Sequence, residues 1–182
     1  MLDLEILKGE FRRKLSLYRY CLNHWRDDCQ DLGSALTFRA ETIRLLQQLS
    51  LHFDKATWER FREQLQALDL EREQLLKADR RAYVASLRQE LAADLRIIEA
   101  DLDFLSRLVY EEALRLWVTV ETVGYILDEL NRVDAPVRHA RDWAHYKALW
   151  QRLEERLLEL PEDAEMRKAR PPLLLPPPLP LT

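Results

Sequence analysis

The sequence predicts an all-α fold, an antiparallel helical bundle arranged around one very long central helix. Three observations carry that expectation. With 47 % hydrophobic and 33 % charged residues and only three glycines in 182 residues, the composition is that of helices rather than sheets. From Tyr83 to Leu130 apolar residues recur in steps of three and four, through Val84, Leu87, Leu91, Leu95, Ile98 and Leu102 and on to Leu116, Val120, Val123 and Leu127. Such spacing is one continuous helical stripe. A second stripe through Ile97, Phe104, Leu108, Trp117, Tyr125 and Ile126 makes the segment apolar over most of its circumference, so other helices must cover it.

Leu4, Leu7, Phe11, Leu15, Tyr18, Leu22 and Trp25 define the first amphipathic helix, with Asp3 as its N-cap. It is expected to end near Asp27, because Asp28, Asp31, Gly33 and Ser34 supply turn chemistry. Ser34 then caps a second helix that runs to about Leu51 on Leu36, Ala40, Ile43, Leu46 and Leu49. From Asp54 a third helix carries Trp58, Phe61, Leu65 and Leu68 at coiled-coil spacing, which makes these four the candidate interaction residues.

The seam next meets Arg72 and Asp79, yet no Gly or Pro lies between Gly33 and Gly124. Two forms fit that pattern. One is a single helix of about 75 residues, about 110 Å long at 1.5 Å per residue. The other is a coiled-coil hairpin turning near Asp69 or Asp79, and a boundary near Lys77 to Arg81 is preferred. Asn131 to Asp134 closes the long helix, and Asp134 with Pro136 opens the last one, on Ala140, Trp143, Trp150, Leu153, Leu157 and Leu160.

Residues 1–160 therefore read as one helical bundle domain and residues 161–182 as a Pro/Leu-rich extended or disordered tail, with six of the eight prolines gathered in PPLLLPPPLPLT. Within it Pro177 and Pro180 form a PxxP pair, the pattern of polyproline ligands, without the flanking base that orients SH3 ligands.

Charge and targeting signals exclude several classes. The net charge of −4 comes from acids and bases interspersed along every segment, so the footprint of a general nucleic-acid binder is missing. Two cysteines define no disulfide framework, and Asp3, Glu5, Lys8 and Glu10 interrupt the apolar residues of any signal peptide. A cytoplasmic location is expected. Arg107, Glu111, Glu112, Arg115 and Glu121 fall in the most hydrophobic stretch, so no membrane span is expected.

Three constellations bear on chemistry. In CLNHWRDDC, Cys21 and His24 share a helical face and Cys29 follows; they are candidate zinc ligands, but only a distant residue such as His52 could complete the set. The simpler reading is a buried cysteine beside a surface histidine, and no cofactor is expected. In RHARDWAHY, Arg138, Asp142 and His145 fall close to one face with His139 and Arg141 beside them, where a helix N-terminus favours a phosphate. Arg138 followed by a polar residue, with six residues between it and His145, resembles the signature of HEPN-domain ribonucleases, dimeric all-α proteins with the motif near a helix start. The resemblance implies metal-independent chemistry in which Arg138 stabilises the phosphate and His145 is the general acid or base. The HxY ending of the toxin subgroup stands here only as His145-Tyr146. The paired acids Glu111-Glu112, Asp101 with Asp103, and Asp128-Glu129 do not make a di-iron centre, because no glutamate stands three residues before a histidine.

The functional expectation is a non-enzymatic helical protein–protein interaction or assembly module. A homodimer or a larger complex would cover the apolar face that one chain leaves open. The alternative is a HEPN-like ribonuclease or phosphate-binding helical enzyme using Arg138 and His145.

Overall fold

Every described element of the structure, a computed structural model, is helical. Residues 3–27, 31–52, 55–103 and 110–158 are described, with 110–114, 136–137 and 156–158 as backbone only. They form α1 (Leu4–His24), α2 (Asp31–Ser50), α3 (Lys55–Ala78), α4 (Arg80–Asp103), α5 (Tyr110–Val133) and α6 (Ala140–Leu158), with a 3-10 turn at Pro136–His139. Packing divides the chain into two compact units, residues 1–86 and 87–182, where the sequence suggests a single domain over 1–160. None of the described helices is long and apolar enough to cross a membrane. Cys29, Phe104, Leu108, Pro177 and Pro180 lie outside the described residues.

In the first unit the Asp3 carboxylate accepts the Glu5 N–H at 3.0 Å, the cap that the sequence predicts. The α1 stripe of Leu7, Phe11, Leu15, Tyr18 and Leu22 joins Ala35, Leu46 and Leu49 of α2 and Phe61, Leu65 and Leu68 of α3 in one core. Phe11 stacks on Phe61 with ring centroids 4.5 Å apart, the Tyr18 hydroxyl donates to Asp69 at 2.8 Å, and Arg26 reaches Asp79 at 3.4 Å. Contacts that advance together along both helices mean that α1 and α3 run parallel, with α2 returning between them. The second helix begins at Asp31 rather than at Ser34, so Gly33 belongs to its first turn, where its carbonyl accepts the Thr37 hydroxyl at 3.1 Å.

The break between α3 and α4 falls at Asp79, inside the preferred boundary. Its carboxylate accepts the Ala82 N–H at 3.1 Å, which makes Asp79 an N-cap in a segment with neither Gly nor Pro. On either side the ladder resumes, from the Asp79 N–H to the Leu75 carbonyl at 3.3 Å and from the Tyr83 N–H to the Asp79 carbonyl at 3.0 Å. Arg72, where the seam was expected to falter, is buried.

The second unit corrects the single long helix. Arg88 of α4 forms an ion pair with Asp134, just past α5. A continuous helix would hold those residues about 70 Å apart at 1.5 Å per residue. α4 and α5 therefore run antiparallel, and the described part of the Tyr83–Leu130 stretch belongs to two helices. Leu91, Ile98 and Leu102 of α4, Leu116, Val120, Val123, Leu127 and Leu130 of α5, and Trp143, Tyr146, Leu149, Trp150 and Leu153 of α6 are buried. Trp117 meets Trp150 with centroids 5.8 Å apart. Ile97, assigned by its spacing to the second apolar stripe, is 45 % exposed, so α4 is not apolar all round.

Candidate functional site

Asp134 organises the most concentrated group of polar side chains in the second unit. Its N–H closes α5 on the Leu130 carbonyl at 2.8 Å, and the Arg138 N–H reaches the Ala135 carbonyl at 3.0 Å. Pro136 opens this 3-10 turn, where a fixed φ and a missing donor cost nothing. The tight turn lays Arg138 and His139 back over Asp134. Arg138 Nη1 donates to Oδ1 at 3.3 Å and His139 Nε2 to Oδ2 at 3.2 Å, while Arg88 Nη2 approaches Oδ2 from α4.

Desolvation opposes the ionised carboxylate of Asp134. The Ala135 N–H, His139, Arg88 and Arg138 together outweigh that penalty and hold its pKa below the ordinary carboxylate range. His139 is 2 % exposed, so its ring is a fixed part of the turn. Beside the cluster lies a pocket of about 390 Å³ lined by Arg88, Leu91, Ala92, Leu95, Arg138, His139 and Asp142. Guanidinium, imidazole and carboxylate groups meet an apolar wall there.

Of the residues singled out in RHARDWAHY, the structure brings Arg138, His139 and Asp142 to one pocket and leaves His145, half-buried, outside its lining. This pocket therefore does not bring together the Arg138 and His145 that the resemblance pairs, and the Arg138 guanidinium is engaged by Asp134. Arg88 is the residue that sequence reasoning missed. It stands in a different helix from the motif, and no local pattern announces a partner 46 residues away in the chain.

Two of the zinc candidates fall within the described residues, and Cys29 lies outside them. The Cys21 thiol is buried in the first unit, whereas His24 lies at the surface end of α1, donating from Nδ1 to the Tyr20 carbonyl at 2.8 Å and stacking on the Tyr20 ring. Among the described residues no three His, Cys, Asp or Glu side chains are placed to hold a metal ion. The interaction candidates also turn inward. Phe61, Leu65 and Leu68 are core residues of their own unit, Trp58 packs against them, and its Nε1 donates to the Leu46 carbonyl at 3.2 Å. Of the paired acids, Asp103 meets Arg152 at 2.9 Å and Glu129 meets Arg132 at 2.6 Å.

A second polar cluster lies in the first unit, where Arg39 grips Asp69 through Nε at 2.8 Å and Nη2 at 3.1 Å. Burial raises the Tyr18 phenol well above its ordinary value, with Arg72 opposing the rise and Asp69 adding to it. Arg72 Nε and Nη1 are buried without a hydrogen-bond partner. No known protein family matches this chain, nor does any curated protein or solved structure match it at significance.

Proposed function

We propose that this protein is a non-enzymatic, cytoplasmic helical interaction module that assembles with a second copy of itself or within a larger complex. The observation that supports this reading is the set of large apolar side chains that the cores leave outside. Leu51 is 78 % exposed and Ile6 63 %, with Leu70 and Tyr20 also largely open in the first unit and Ile97 and Val118 in the second. Single exposed apolar residues are ordinary on a monomer; among the described residues six large ones are open, and a second copy or a partner would cover those that share a face. Closed two-fold symmetry is the commonest way to provide that cover.

The ribonuclease reading has less support. Its phosphate-binding arginine is held by Asp134, and its general acid or base lies off the pocket. Sedimentation equilibrium of the full chain at micromolar concentration should give twice the 21.7 kDa chain mass. A clean monomer would defeat self-assembly. Cleavage of single-stranded RNA that disappears in both Arg138→Ala and His145→Ala would overturn the module reading altogether.

A further inference from the structure

We propose that the pocket beside Asp134 is a binding site for a small amphipathic carboxylate, a singly charged acid with a short apolar tail. The two guanidinium groups that line it are pinned at one end only. Arg88 uses Nη2 and Arg138 uses Nη1 on the same carboxylate. Their remaining N–H groups, Nε and Nη1 of Arg88 and Nε and Nη2 of Arg138, have no acceptor among the described residues. Planar donors held by a common anchor lose little freedom when they grip an oxyanion, and a carboxylate matches the fork of a guanidinium in shape as well as in charge.

Charge selects a monoanion. Arg88 and Arg138 stand against Asp134 and Asp142, so the formal charges of these four side chains cancel. A singly charged acid gripped by the guanidinium forks meets less repulsion from the two carboxylates than a phosphate dianion would. The wall selects an apolar tail. Leu91, Ala92 and Leu95 supply the hydrocarbon of the lining. The volume of about 390 Å³ lies in the range of small-molecule pockets. His139, itself in the lining, contacts the same Asp134 carboxylate at 3.2 Å, which fixes the anchor that the two arginines share.

The test is a titration of the full chain with hexanoate, followed by amide and arginine Nε–H shifts in nitrogen-edited NMR, with hexanol and inorganic phosphate as comparison probes. Hexanoate should saturate with a Kd on the order of 1 mM, with shifts concentrated at residues 88–95 and 138–142. Arg138→Gln, a change at a largely exposed side chain, should weaken it about tenfold while the rest of the spectrum stays unchanged, as loss of a charge-assisted hydrogen bond requires. Arg88→Lys keeps the charge but removes the fork, and should weaken hexanoate without unfolding the unit. Equal affinity for hexanol would make the pocket merely apolar, tighter binding of phosphate would make it a polyanion site, and shifts scattered over the chain would make the binding nonspecific. Each of these results overturns the proposal.

Discussion

Asp94 and Asp134 are the same residue type in opposite circumstances. Asp94 is 7 % exposed on α4, and burial pushes its carboxyl up to about 6. In the unfolded chain it titrates in the ordinary carboxylate range, so the fold favours the protonated acid. Its contribution is present below the unfolded value and is lost as the pH rises through about 6. Asp94→Asn should therefore raise the melting temperature at about pH 8 by roughly 5 °C, on the order of 2 kcal/mol, and leave it unchanged near pH 4. An equal effect at both pH values would remove ionisation as the cause. Asp134 behaves in the reverse sense, its charge favoured by His139, Arg88 and Arg138. The sequence places Asp134 at a helix junction and Asp94 inside a helix, but the opposite shifts come from what packs around each.

At the scale of elements, Asp79 shows how a helix can be interrupted without Gly or Pro. Its carboxylate takes the Ala82 N–H, and a cap of this kind contributes about 1 kcal/mol. Asp79→Ala should lower the unfolding free energy by that amount, read from the shift of the urea midpoint, and an unchanged midpoint would mean that the packing of Tyr83 on Trp25, 6.0 Å between centroids, sets the break by itself. Phe61 raises a different question. Its spacing matched a seam awaiting a partner, but it is 2 % exposed and stacked on Phe11. Phe61→Ala should cost about 3–5 kcal/mol, equally at every protein concentration. A loss that shrinks at high concentration would return Phe61 to an interface.

Across the whole molecule, the strongest departure from expectation is the reversal within the Tyr83–Leu130 stretch. Spin labels at Gln89 and Asp128, both on exposed positions of the second unit, distinguish the two forms directly. A continuous helix would separate them by about 59 Å at 1.5 Å per residue. The ion pair of Arg88 with Asp134 instead predicts a short distance, near the spacing of adjacent packed helices of about 10 Å plus the reach of the labels. A distance close to the continuous value would undo the hairpin and, with it, the pocket.

The sequence by itself determined that the described elements are helices and which side of α1 and α6 faces a core. Asp3 as a cap, the α1 stripe from Leu7 to Leu22, the boundary near Asp79 and the Trp143, Trp150 and Leu153 face of α6 were all legible. They depend on neighbours within one or two turns, and period and capping chemistry report such local relations. Tertiary structure alone decided that α4 and α5 fold back on each other, that the α3 seam is filled from within, and that Arg88 joins Asp134 and Arg138 at a pocket. An apolar stripe of helical period satisfies one long helix and a hairpin equally well. Only packing between residues distant in the chain chooses between them, and the pocket exists because of that choice.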